Sequence, residues 1–130
     1  MKRLAFILCV FCFLSKLVAQ EQKAPSPILF IYDASGSMWG QLDGKTKKDI
    51  ASEVLATTVS SLPENQNIGL MAYGHREKGD CNDIELLINL NNSSKTSITN
   101  SVSKINALGK TPLARSAAQA INSLKESGTK

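Results

Sequence analysis

The chain has 130 residues, with 15 basic and 11 acidic side chains, one histidine and a net charge of +4. That length leaves room for a single domain. The basic side chains form no patch interleaved with aromatic residues, which argues against a nucleic-acid partner.

The N-terminal stretch stands apart from the rest. Met1 to Arg3 is a short basic start, Leu4 to Leu14 is an almost unbroken apolar run, and Ser15 to Ala19 is more polar and ends on a small residue. This order of charge, apolar core and small exit residue predicts a secretory signal peptide over residues 1–19, cut after Ala19 to leave Gln20 first. A membrane anchor is the competing reading. A spanning helix needs about 20 apolar residues, and Lys16 interrupts this run. A lipoprotein signal fits less well, because Cys9 and Cys12 follow Leu8 and Phe11 rather than small residues. The mature protein is therefore expected to be exported (to the periplasm, cell surface or medium) with no stable membrane span.

Cleavage changes the arithmetic of the chain. Lys2, Arg3 and Lys16 are lost and no acidic residue precedes Gln20, so the mature charge falls to +1. Cys81 is then the lone cysteine. In an exported protein that points to a partner elsewhere or to a free thiol.

Gln20 to Pro27 is polar, holds Pro25 and Pro27, and reads as a linker. Ile28 to Tyr32 is a continuous apolar run ending at Asp33, the pattern of a strand buried on both faces. Asp33 to Lys45 is rich in Gly and Ser and predicts a loop. Thr46 to Leu62 places Ile50, Val54, Leu55, Val59 and Leu62 at helical spacing, and Pro63 stops it. Asn67 to Tyr73 predicts a second strand and Ile84 to Leu90 a third. The short polar loop between them predicts a hairpin. Ser94 to Leu108 predicts a second helix ended by Gly109. Thr111-Pro112 opens a third, with Leu113, Ala117, Ala120, Ile121 and Leu124 expected to face inward.

This order predicts an α/β fold with an open, mostly parallel, Rossmann-like sheet. Ligands of such sheets bind beyond the carboxyl ends of the parallel strands. Asp33 lies at that end of strand one and Gly74-His75 at that end of strand two. A hairpin down and a helix up return the chain to the same end, so Thr111 arrives near Asp33.

Asp33-Ala34-Ser35-Gly36-Ser37 puts one carboxylate and two hydroxyls on a tight turn. These are hard oxygen donors, suited to Mg2+ or Mn2+ and less to Ca2+. Gly36 is expected to let both hydroxyls face one point. A site so poor in negative charge leaves its cation electrophilic and receptive to a carboxylate from a partner.

Here the sequence resembles a known family. The D-x-S-x-S segment at the end of an apolar strand is similar to the metal-ion-dependent adhesion site of von Willebrand factor type A domains. Gly109-Lys110-Thr111-Pro112-Leu113 resembles that family's distant Gly-x-Thr-Pro-Leu segment. Either motif alone is a weak signal; the two together, in order and at the same end of the sheet, are specific. The resemblance covers about residues 28–130. It implies that Ser35 and Ser37 bind the metal directly, and that Asp33 and Thr111 bind directly or through water. It also implies a further metal-site Asp on a fourth strand. The sequence stops before such a strand, so the domain over 28–130 is expected to be incomplete at its C-terminus.

Thr111 also has a simpler reading, as an N-cap before Pro112. An Asp/Ser turn that only satisfies backbone amides is the simpler reading of Asp33 to Ser37. The loop from Gly74 to Asp83 resembles the matching loop of a bacterial exported subset of the family. His75, Arg76 and Trp39 are expected on the rim of the metal face, as partner contacts. The spacing of His75 and Cys81 fits no standard zinc pattern. Trp39 is either a packing residue beneath the metal loop or an exposed anchor.

The function expected is therefore a metal-dependent protein-binding module that bridges to a carboxylate on a protein partner, and not an enzyme. The alternative is a haloacid dehalogenase-like phosphohydrolase with Asp33 as nucleophile. That class wants a second carboxylate two residues on as general acid, where this chain has Ser35, and it leaves Thr111-Pro112-Leu113 unexplained. Mass spectrometry of protein recovered from its host tests the export reading. A first residue near Gln20 is expected, and an intact Met1 end held in membrane would overturn it.

Overall fold

The computed structural model describes residues 25–90 and 94–128. The predicted signal peptide and most of the predicted linker lie outside those residues. The elements run β1 (Ile28–Asp33), a 3₁₀ turn (Gly36–Trp39), β2 (Gln41–Leu42), β3 (Lys45–Thr46), α1 (Lys47–Ser61), β4 (Ile68–Tyr73), β5 (Ile84–Ile88), α2 (Lys95–Lys104) and α3 (Leu113–Glu126). β1, β4 and β5 form one sheet in that order, and β2 and β3 form a separate two-stranded ribbon.

β1 and β4 are parallel, running in register from Ile28 opposite Ile68 to Asp33 opposite Tyr73. β4 and β5 are antiparallel, as the hairpin reading expected, with a register shift between Leu70 and Met71. β4 is the central strand and every residue in it is buried. β1 is mostly half-buried, because among the described residues it is the sheet's edge.

Helices cover both faces. Tyr32, Ile68, Leu70 and Ala72 point one way and pack with Val59 of α1 and with Ile98, Val102 and Ile105 in and after α2. α3 packs on β1 and β4, and α1 packs against α2. Burying these aliphatic side chains is the main stabilising term, at about 1.5–3 kcal/mol for each fully buried Leu, Ile or Val.

Local signals set the helix starts. Thr46 caps α1 by accepting from the Asp49 amide, and its hydroxyl donates to the Asp49 carboxylate. Ser94 caps α2 by accepting from the Ser97 amide. Both are the side-chain caps that Ser and Thr favour.

Several expectations need correction. The predicted loop 33–45 holds the 3₁₀ turn and the small β2–β3 ribbon, whose turn uses Asp43 and Gly44 at positive φ. Val54 does not face inward; it is exposed while Val59 is fully buried. α2 ends at Lys104, well before Gly109. The amides of Leu108 and Gly109 are drawn instead to carbonyls at the tops of β1 and β4, and tertiary hydrogen bonds override helical propensity there. In α3 the buried residues are Ser116 and Ala120, while Leu113 and Ile121 are exposed. Small side chains let α3 approach the sheet closely. The buried Ser116 hydroxyl is satisfied by the Pro112 carbonyl one turn back.

Candidate metal site

Asp33 ends β1, and the next residues turn sharply over the end of the sheet. Asp33 Oδ1 accepts from the Ser35 amide at 2.7 Å. The Ser35 and Ser37 hydroxyls lie 3.0 Å apart. The 3₁₀ turn closes through Met38 N–H to Ser35 O and Gly40 N–H to Ser37 O, both at 3.0 Å. Ser35 is buried and Ser37 is exposed, so the hydroxyl pair spans from the core to the surface.

A clamp of backbone hydrogen bonds holds this turn to two other segments. Ala34 N–H continues the β1–β4 ladder to Tyr73 O. Leu108 N–H donates to both Ala34 O and Gly74 O, and Gly109 N–H donates to Gly74 O at 2.8 Å. Gly36 N–H returns to Gly109 O at 3.0 Å, and Ser35 pairs with Gly109 in a parallel bridge. Trp39 adds a side-chain tie, its indole N–H donating to Ala107 O at 2.7 Å.

The structure therefore brings Asp33, Ser35 and Ser37 onto one turn and docks the Thr111 loop alongside. Thr111 itself is exposed, two residues beyond Gly109. Its side chain caps no helix: Pro112 occupies the cap of α3, without a side-chain cap bond. Among the described residues only the Thr111 carbonyl is engaged, by Leu113 N–H.

Gly36 does not have the role expected of it. Its φ is not positive, and a Cβ there would meet its nearest neighbour, Leu108 O, at an ordinary 3.6 Å. The demanding position is Gly74, with φ of 72° and a would-be Cβ just 2.7 Å from Lys110 O. A would-be Cβ at Gly109 is likewise 2.8 Å from Gly74 Cα. The two glycines let the loops after β4 and α2 touch backbone to backbone.

Tyr73 is a contributor that the sequence reading missed. It faces Asp33 across the β1–β4 register. Burial, then the neighbouring Asp33 carboxylate, pushes the phenol well above the ordinary tyrosine range. Its only signal in the sequence is its place at the end of the second strand, level with Asp33.

The loop after β4 is built around Asp83. This carboxylate is buried, and it accepts from Arg76 N–H and Arg76 Nε at 2.7 Å and from Glu77 N–H at 3.1 Å. Burial alone would raise its pKa. The hydrogen bonds from Arg76 and Glu77, with His75 close by, outweigh that and hold it below the usual carboxylate value. His75 is nine-tenths buried, with Nε2 3.1 Å from Glu85 Oε2 and Nδ1 3.9 Å from Asp83 Oδ1. Arg76 is half-exposed. Arg115 of α3 steadies the far side of the loop, donating to Cys81 O and to the Asn82 side chain; the Cys81 thiol is free and exposed.

The donor chemistry fits a hard cation. Among the described residues there is no cluster of three or more His, Cys, Asp or Glu side chains. The donors at this turn are one carboxylate and neutral hydroxyls. Adjacent oxygens around octahedral Mg2+, at about 2.0–2.1 Å from the ion, lie about 2.9 Å apart. The 3.0 Å between Ser35 Oγ and Ser37 Oγ matches that spacing, and is also an ordinary hydrogen-bond length.

Residues 28–130 match the von Willebrand factor type A domain, and the chain belongs to that family. Domains of this family typically take part in protein–protein interaction. Relatives include the uncharacterized protein YwmC of Bacillus subtilis (strain 168), 30% identical over 134 residues, covering 98% of this chain and 57% of that protein. The uncharacterized protein YwmD of the same organism is 28% identical over 107 residues, covering 77% of this chain and 48% of that protein. The chain thus spans about half the length of these curated relatives. Nothing in these likenesses supports the haloacid dehalogenase alternative.

The clamp yields a contrast between two glycines. Gly74→Ala combines positive φ with a close approach to Lys110 O and should destabilise by about 2–3 kcal/mol or more. Gly79→Ala has a similar φ but open space around it, and should cost only about 1 kcal/mol. Urea denaturation of the two variants measures the difference; equal losses would contradict the clamp.

Proposed function

We propose that the protein is an exported, metal-dependent protein-binding module. One divalent cation, Mg2+ in preference to Mn2+ or Ca2+, is held by Asp33, Ser35, Ser37 and Thr111, and it bridges to a carboxylate on a protein partner. The observation that carries this reading is the convergence of one carboxylate and two hydroxyls on a turn to which the Thr111 loop is hydrogen-bonded. Membership in a family that typically binds proteins supports it independently.

When bound, the metal supplies an electrophilic coordination position open to a partner's oxygen. The chain's own residues do the rest. The Ser35 amide orients Asp33, which faces Tyr73 across the β1–β4 register. The clamp through Gly74 and Gly109 keeps Ser35 and the Thr111 loop in one relative position. Trp39 and Arg76 present side chains at the rim, and His75 backs Arg76 from within the loop. Binding involves no bond-breaking, since Ser35 stands where a phosphohydrolase of the alternative class needs a general acid.

Export rests on the order of features in residues 1–19, which lie outside the described residues. Among the described residues no helix is long and apolar enough to cross a membrane.

The test uses the full-length protein and MgCl2 as the probe, with binding read by calorimetry and stability by thermal melting. Asp33→Ala removes the turn's single carboxylate and should weaken Mg2+ binding by roughly tenfold or more. Ser35→Ala and Ser37→Ala should each cost less. Thr111→Ala should leave stability within about 0.5 kcal/mol, because its side chain caps nothing, yet weaken Mg2+ binding. p-Nitrophenyl phosphate should show no turnover above background. Wild-type protein with no Mg2+ binding reversible by EDTA would overturn the proposal.

A further inference from the structure

The face around the Asp33–Ser37 turn carries more than metal donors. Trp39 is the chain's single tryptophan, and it is 51% exposed although its indole N–H is tied to Ala107 O. The next residue after Ala107 is Leu108, 38% exposed, with its amide tied to Ala34 O and Gly74 O. The Trp39 ring is tied by its own N–H and Leu108 is held through its backbone, and both side chains still face solvent. Trp39 ends the turn that contains Ser37, and the Leu108 backbone approaches the same turn, its carbonyl oxygen 3.6 Å from the Cβ position of Gly36.

A lone exposed apolar residue needs no explanation. A tethered indole next to a second exposed apolar residue, beside a polar cradle, differs, because covering that indole costs little side-chain freedom. Rigid aromatic side chains are the usual anchors of binding surfaces.

Three lysines lie around them. Lys48 Nζ lies 6.0 Å from the Trp39 ring centroid. The Lys47 side chain runs beside Gly40, and Lys110 is exposed next to Thr111. None of the three enters an ion pair among the described residues. Segments 34–48 and 105–112, which build this face, hold one acidic residue besides them, Asp43 in the β2–β3 turn, while Asp33 and Asp49 adjoin the first segment. Lys45 is engaged by Glu53.

We propose that Trp39 and Leu108 form an apolar step that selects the partner. The segment recognised is an acidic stretch in which the carboxylate that meets the metal has an apolar side chain within about two residues, landing on Trp39 and Leu108. Lys47, Lys48 and Lys110 favour additional acidic residues around it. This inference rests on the proposed metal-bridged carboxylate and adds the chemistry of the partner beside it.

The sole tryptophan makes the test direct, since its emission reports contact at the step itself. Full-length protein is titrated in Mg2+ with three acetylated octapeptides of glycine and serine. The first carries one aspartate, the second an aspartate with a leucine two residues on, and the third is the second with asparagine in place of aspartate. The second peptide should blue-shift Trp39 emission and bind about tenfold more tightly than the first. Leu108→Ser should bring that ratio close to one, and Lys110→Glu should weaken the second peptide. EDTA should abolish binding, and the asparagine peptide should not bind. Equal, Mg2+-dependent affinity for the first two peptides would overturn the apolar step alone. Binding that survives EDTA, or no Mg2+-dependent binding by any peptide, would overturn the step together with the metal reading. Emission that changes with protein concentration and no peptide would make this face a self-association surface, and would also overturn the proposal.

Discussion

The structure depends on a small set of backbone hydrogen bonds where three loops meet over the carboxyl ends of β1 and β4. Leu108 N–H is shared between Ala34 O and Gly74 O, Gly109 N–H goes to Gly74 O, and Gly36 N–H returns to Gly109 O. Every bond in this set is backbone to backbone, so side-chain identity enters through what must be absent. Gly74 and Gly109 lack the Cβ that would force the loops apart. The set also satisfies polar groups at the ends of buried strands that would otherwise be costly to leave unpaired. Segments far apart in sequence thereby become one rigid face.

Polar side chains placed on that face have defined positions at low entropic cost. Asp33 is held by the Ser35 amide and faces the buried Tyr73 across the β1–β4 register. Ser35 is buried and Ser37 is open to solvent, so one hydroxyl is fixed by the core while the other meets incoming groups. The neighbouring loop uses a buried carboxylate, Asp83, as its organising centre. Arg76 and two amides stabilise that charge, and removing them would leave it buried and unpaired. Both loops are ordered by internal hydrogen bonds, which suits a surface that binds by complementarity.

Much of this was legible in the residues. The unbroken run Ile28 to Tyr32, the second run to Tyr73 and the polar hairpin after it led directly to three strands in the observed pairing. Ser94 and Thr46 marked the helix starts because their signals are local. What could not be read depends on contacts between distant segments. The true end of α2 is set by carbonyls on β1 and β4, not by Gly109. The buried face of α3 follows from how closely the sheet can be approached, so Ser116 and Ala120 lie inside while Leu113 and Ile121 do not. The short β2–β3 ribbon lies in a stretch whose composition says only that it turns. At the site, the motif residues were visible as a pattern. Tyr73, and the shift of the glycine requirement from Gly36 to Gly74, emerged only from the β1–β4 register and the close approach of Lys110 O.

Metal bridging requires that the clamp position an oxygen cradle for one cation between Ser35, Ser37 and the Thr111 loop. Crystals of the full-length protein soaked in MnCl2, with data collected at the manganese absorption edge, test this most directly. A single strong anomalous peak is expected in bonding contact with Ser35 Oγ and Ser37 Oγ, on the side of Asp33 that faces the Thr111 loop. An empty cradle with manganese bound elsewhere, or a peak held by His75 and the carboxylates of its loop, would contradict it.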